Sequence, residues 1–273
     1  MAKRKKRRTM AEKADRYVLY QDTVQAPDFE IEFCSKAYKR EFGRRALLFC
    51  EDFCGTASFA CEWVKSHSKR RAIGVDLDPE PLEWGRRNNL SKLSKSQLKR
   101  VQLIEGNVLD ANSEKVDVLG AQNFSFFIFH DRPLLLKYFK AVHANLKDKG
   151  VFVLDVMGGP NSQLEQEDDP REYNGYTYTW EHFSFNPIDH LTTCKIHFEF
   201  EDGSEMKDAF VYPWRLWTIP ELRELLDEAG FTRTDVYWEG TEEETGEGDG
   251  VYTRTKIADA AEAWVAYIVA VKK

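Results

Sequence analysis

The chain has 273 residues, 42% hydrophobic and 31% charged, which excludes global disorder and provides for a sizeable core. Its net charge of −7 excludes a surface coated for nucleic acid, although a local basic patch is compatible with it. Five cysteines (Cys34, Cys50, Cys54, Cys61 and Cys194) are odd in number and scattered; they make no disulfide framework and point to a reducing compartment, expected to be the cytoplasm. No apolar run approaches the ~18 residues of a membrane-spanning helix, and the basic N-terminus lacks the apolar stretch of a signal peptide.

Residues 1–13 read as a flexible basic arm, with six consecutive cations from Lys3 to Arg8. Such a run is a solvated tail, or an arm touching RNA or another anionic surface. Residues 14–43 are rich in aromatics, with a helix expected over 31–42 and a loop around Tyr20 to Pro27; this segment is a lid over a ligand or packs outside a sheet. A core is expected over 44–160. The apolar run 46–50 is a buried strand closed by Glu51, followed by the small turn Cys54-Gly55-Thr56 and a helix over 58–65. Strand 72–75 ends at Asp76, and Asp78-Pro79 starts the next helix as N-cap and first-turn proline. Strands over 101–104, 116–121 and 151–154 and an amphipathic helix over 134–146 complete the alternating pattern of a doubly wound parallel sheet.

The pattern then changes. Residues 161–172 read as a polar loop, and three longer strands are expected over 176–185, 191–200 and 207–217, separated by Asn186-Pro187 and Asp202-Gly203-Ser204 turns. The segment 161–217 is thus an antiparallel β insertion. In 218–273, Thr218-Ile219-Pro220-Glu221 is a capping box opening a helix that Gly230 ends. Two last strands, 234–238 and 264–271, flank an acidic, glycine-rich loop over 240–250 and bring the main sheet to seven.

In such sheets ligands sit beyond the carboxyl ends of the strands. Glu51, Asp76, Asn107, Gln122 and Asp155 fall at such ends. An acid closing the second strand accepts hydrogen bonds from both hydroxyls of a ribose. The first turn lacks the G-x-G-x-x-G of a dinucleotide site, which counts against a dehydrogenase.

With Glu51-Asp52-Phe53-Cys54-Gly55-Thr56-Ala57, Gly74-Val75-Asp76-Leu77-Asp78, Glu105-Gly106-Asn107-Val108, Lys149 through Asp155, and the late Trp217-Thr218-Ile219-Pro220-Glu221-Leu222 in that order, the chain resembles the class I S-adenosylmethionine-dependent methyltransferases. The resemblance spans about Arg45 to Val271 and implies a Rossmann-like fold. In that family an acidic residue precedes three glycines at alternate positions; here the first and third are Phe53 and Ala57. The resemblance implies that Glu51 takes the cofactor's amino group, that Phe53, Cys54, Gly55 and Thr56 lie along its methionine part, and that Asp76 holds the ribose diol. Leu77 would flank the adenine, Asn107 and the Val108 N–H would meet its edge, and Gln122, Asn123 and Phe124 would border the sulfonium and the acceptor.

The expected function is methyl transfer from S-adenosylmethionine to N, O or C of a small molecule, with the insertion covering the acceptor. The alternatives are a methyltransferase for RNA or protein that docks through residues 3–8, or a non-catalytic S-adenosylmethionine-binding protein. Candidates for a general base are Tyr20, Asp155 and Glu239. Candidates for acceptor binding are Tyr20, Arg132, Trp180, Arg215, Trp217 and Trp238. No metal is expected: Cys50, Cys54 and Cys61 lack zinc-pair spacing, and His182, His190 and His197 are scattered strand residues.

Overall fold

The structure, a computed structural model, describes residues 8–110, 114–242 and 248–273. Positions 3–7 of the basic arm and 243–247 of the acidic loop lie outside them. Two units divide the chain: Ala26–Gly159 with Trp217–Lys273, and Met1–Gln25 with Pro160–Leu216. The division falls at Gln25, inside the segment 14–43. No helix among the described residues is long and apolar enough to cross a membrane.

The larger unit is built on one sheet. Its strands are β1 (Leu48–Asp52), β2 (Arg71–Asp76), β3 (Val101–Glu105), β4 (Val116–Ala121), β5 (Leu146–Gly158), β10 (Arg233–Thr241), β11 (Gly248–Thr255) and β12 (Trp264–Lys272), in the spatial order β3-β2-β1-β4-β5-β12-β10-β11. The first five are parallel, and β12 runs antiparallel between β5 and β10. The sheet therefore has eight strands and not seven. The extra one, β11, pairs with β10 along Val236–Thr255 to Thr241–Gly248, so residues 248–250 of the expected loop are strand. Strand β5 is also longer than expected, because β12 pairs with it from Gly158 back to Gly150.

One face carries α2 (Pro27–Phe42) and α3 (Ser58–Lys65), which bury Ile31, Cys34, Tyr38, Phe59 and Trp63 against Phe49 and Val118. Helix α2 starts four residues before its expected first residue, with Pro27 in its first turn, and ends at Gly43 in the left-handed region. Between β2 and β3 lie α4 (Pro79–Asn88), a short turn over Leu90–Lys92, and α5 (Lys95–Leu98). Helix α6 (Arg132–Asn145) sets Tyr138 and Phe139 against Phe152 at ring separations of 6.1 and 5.9 Å. Helix α7 (Ile219–Glu228) buries Leu222, Leu225 and Leu226 and opens with the expected Thr218–Glu221 capping box.

The smaller unit holds α1 (Arg16–Thr23) and an antiparallel sheet in the order β6 (Glu167–Tyr173), β7 (Tyr176–Phe185), β8 (Leu191–Phe200), β9 (Glu205–Arg215). Two expectations fail here. Residues 16–23 form a helix, N-capped by the Asp15 carboxylate, which accepts from the amides of Tyr17 and Val18. Residues 167–173 form an edge strand, because their backbone pairs with β7 from Glu167–His182 to Tyr173–Tyr176. Leu19 of α1 packs with Tyr178, Ile196, Phe198 and Phe200 to make this unit's own core.

Helix α4 approaches the turn after β1 closely because Gly85 has no side chain: a Cβ there would lie 2.4 Å from the carbonyl oxygen of Thr56. Gly85→Ala is expected to lower stability by about 1–3 kcal/mol, the range for overpacking, read as a shifted denaturant midpoint. An unchanged midpoint would show that α4 moves away freely.

Candidate functional site

The strand order reverses between β1 and β4, so the crevice of this sheet opens at their carboxyl ends. The turn after β1 fills that place. Phe53, Gly55 and Ala57 all have left-handed backbone, with φ of 57°, 49° and 58°. The alternating pattern expected of three glycines is therefore present in the backbone, although two of the residues carry side chains at roughly 1–2 kcal/mol each. The Cys54 amide donates to Val75 O at 2.9 Å and the Ala57 amide to Cys54 O at 2.7 Å, which pins the turn. A Cβ on Gly55 would meet nothing within 4 Å, so the space above the turn is open. The Phe53 ring points away into packing, 5.5 Å from Tyr138 and 6.0 Å from Phe129. Cys54 is buried against Gly74, so only the backbone of this pair faces the turn.

Asp76 ties the turn to β2. One carboxylate oxygen accepts the Gly55 N–H at 2.6 Å and the other the Asp78 N–H at 2.9 Å. The Leu77 amide also bonds this carboxylate, and of its about four acceptor sites about one is left for a ligand. Leu77 beside it is 68% exposed. Asn107 is exposed, its side-chain oxygen accepting the Leu109 N–H at 2.9 Å, and Val108 is buried.

Buried carboxyls crowd the crevice. Successive strand residues face opposite sides. Glu51 accordingly reaches α3, accepting the Ala60 N–H at 2.8 Å, whereas Asp52 reaches α6, accepting the Tyr138 O–H at 3.0 Å. Glu51 is 3% exposed; burial, with Asp76 adding to it against the Ala60 hydrogen bond, raises its pKa to about 8. Burial likewise raises Asp52 and Asp155 to about 7. Asp155 accepts the amides of Asn123 and Phe124 at 2.8 and 3.0 Å, holding a turn in which both residues are left-handed. Gln122 is 4% exposed, its Nε2 3.9 Å from Cys34 Sγ and its Oε1 without a hydrogen-bond partner.

Glu30 on α2 was not foreseen. It accepts the Tyr267 O–H at 2.6 Å through Oε1, leaves Oε2 without a partner, and is raised by burial and by Asp155 to about 8. Its signal in the sequence was an acid on the apolar stripe Ile31, Cys34, Tyr38. Asp52 was quoted within the first motif but given no role.

Similar solved structures were found for this arrangement. A S-adenosylmethionine-dependent methyltransferase from Clostridium acetobutylicum ATCC 824 matches with 19% identity and a TM-score of 0.65, over 94% of this chain and 98% of that one. The CcbJ methyltransferase from Streptomyces caelestis matches with 16% identity and a TM-score of 0.68, over 92% and 98%. CalS10, an amino pentose methyltransferase from Micromonospora echinaspora, matches with 16% identity and a TM-score of 0.66, over 94% and 96%. The fold is that of these methyltransferases. No protein-family model and no curated protein matches the sequence.

Tyr20, Trp180 and Arg215 belong to the smaller unit. There Tyr20 packs on Phe210 at 4.8 Å, Trp180 packs on Tyr212 at 5.8 Å, and Arg215 ends β9. Arg132 is ion-paired with Glu228 on the surface. Trp217 is buried and donates to Phe129 O at 3.1 Å, which makes it a fastener. Trp238 packs on Trp264 at 4.8 Å, and Glu239 accepts the Gly250 N–H at 3.1 Å. His182 bonds Trp180, whereas His197 lies with Glu181 and Asp208 within 4.8 Å of one another. Both His197 nitrogens are already engaged: Nδ1 accepts the Asp208 N–H at 2.9 Å, which leaves Nε2–H to donate to Glu181 at 2.8 Å. Lys195 supplies that cluster's cation, 3.3 Å from Asp208.

Proposed function

We propose that this protein is an S-adenosylmethionine-dependent methyltransferase acting on a small molecule in the cytoplasm. The observation that carries this reading is the left-handed turn 53–57 tied to Asp76 at the crevice of a methyltransferase fold. The residues present fit the cofactor: Asp76 has an acceptor site left for a ribose hydroxyl, and Leu77 offers an exposed apolar face for adenine beside Asn107 and the Val108 N–H. Glu51 is a buried carboxyl whose ionised form needs a cation, which an amino group supplies. Gln122 Oε1 and Glu30 Oε2 are buried polar atoms left without partners, for the sulfonium end and the acceptor. When bound, S-adenosylmethionine supplies an electrophilic methyl group, and transfer is a displacement that needs alignment and exclusion of water.

The small-molecule reading is supported by solved neighbours such as the amino pentose methyltransferase. Five buried free cysteines suit a reducing compartment. Calorimetry should show saturable binding of S-adenosylmethionine and S-adenosylhomocysteine and none of NAD. Failure of both sulfur compounds to bind would remove the proposal. Deleting residues 1–10 should leave transfer of labelled methyl to small-molecule acceptors intact; loss of transfer only to a polymer would favour docking through the arm.

A further inference from the structure

At the opposite, amino-terminal ends of β1 and β2, α2 and α3 enclose a second cleft of about 890 Å³. It is lined along α2 from Asp28 to Lys39, about 16 Å at helical rise, and continues to Gly43, Arg45 and the segment Ser66–Arg70 before β2. Its lining holds six lysine and arginine side chains against three carboxylates, on a chain whose net charge is −7. Two of those carboxylates are already neutralised within their helices, Glu32 by Lys36 at 2.9 Å and Glu62 by Lys65 at 3.0 Å.

The floor of this cleft is Arg70. It is 6% exposed and lies 3.8 Å from the centre of the Trp63 ring. Its guanidinium donates to Ser66 Oγ at 2.6 Å, to Ser35 Oγ and to Ala46 O at 3.4 Å. No carboxylate of the described residues pairs with it. A buried cation ordinarily comes with an anion, because desolvating the charge alone is costly. Around it Lys39, Arg45 and Lys69 make no ion pair with any described residue. The pKa of His67 is lowered by desolvation and by Arg45, Arg70, Lys69 and Arg100, as a locally positive potential requires.

We infer that this cleft binds a compact polyphosphate, with Arg45, Lys69 and Lys39 around the anion and Arg70 beneath it. Guanidinium groups suit phosphate oxygens through paired N–H donors. The lining residues include no Phe, Tyr or Trp ring on which a base could stack, His67 being the one imidazole among them, which disfavours single-stranded nucleic acid and favours recognition of the phosphate chain itself. Because the cleft lies at the other strand ends, it is separate from the proposed cofactor site.

The test titrates the full chain with inorganic tripolyphosphate at low ionic strength by calorimetry, followed by ATP and a single-stranded oligonucleotide. Saturable tripolyphosphate binding is expected, competed by ATP at similar affinity and weakened by added salt. The double variant Arg45→Glu, Lys69→Glu should lose at least ~10-fold in affinity, the scale of charge-assisted hydrogen bonds, with unchanged thermal unfolding and unchanged S-adenosylmethionine binding. Absence of saturable binding, or affinity unchanged in the double variant, would overturn the inference. Tighter binding of the oligonucleotide than of tripolyphosphate would overturn it in favour of a nucleic-acid surface. Loss of S-adenosylmethionine binding in the wild-type chain would count against the proposed function and leave this result standing.

Discussion

Replacement of Asp76 by alanine is expected to weaken S-adenosylmethionine binding by about 1–3 kcal/mol, roughly 5–150-fold. The carboxylate does two things at once. It accepts the Gly55, Leu77 and Asp78 amides, which places the turn after β1, and it keeps an acceptor site for a ligand. Alanine removes both functions, and asparagine keeps one oxygen as an acceptor. Asp76→Asn should therefore fall between wild type and Asp76→Ala. Calorimetry on protein that still unfolds cooperatively separates lost ligand contacts from a collapsed turn. Equal affinity in all three proteins would refute the ribose assignment.

Glu51→Gln is expected to act in opposite directions on stability and on binding. In the folded protein the carboxyl titrates at about 8, against an ordinary value of 4.5. Its contribution to stability is fully present below 4.5 and is lost as pH rises toward 8, because the unfolded chain ionises first. Glutamine never ionises and can still accept the Ala60 N–H. The variant should match wild type near pH 4 and exceed it by about 2–4 kcal/mol at pH 7. Cofactor binding should go the other way. A cationic amino group stabilises the ionised carboxylate, so binding to wild type below pH 8 releases a proton, and affinity rises with pH by up to ~10-fold per unit. In Glu51→Gln that release should fall by one proton, with weaker binding. Calorimetry in buffers of different ionisation heat counts the protons. The same proton release in both proteins would place the amino group elsewhere.

Much of the fold is local in origin and was legible. Asp78-Pro79 starts α4 and Thr218-Ile219-Pro220-Glu221 starts α7, because N-caps and first-turn prolines act within one turn of the chain. The parallel strands were legible as short apolar runs, since strands covered on both faces need side chains of one kind. The missed elements lacked that signal. Strand β6 is an exposed, acid-rich edge with no buried face, so only its pairing with β7 defines it. Strand β11 likewise exists through its pairing with β10.

The sequence alone determined the order of the parallel strands and of the main helices between them, the caps of α4 and α7, and the placing of Glu51, Asp76, Asn107, Gln122 and Asp155 at strand ends. Tertiary structure decided what those residues do there. Strand alternation sends Glu51 to α3 and Asp52 to α6, but which helix waits on each side is a long-range fact. Phe53 and Ala57 hold left-handed backbone because packing over-determines the turn, something residue identity argues against. The raised carboxyls of Glu30, Glu51 and Asp52 and the burial of Arg70 without a carboxylate partner among the described residues arise from packing, because desolvation depends on neighbours distant in the chain.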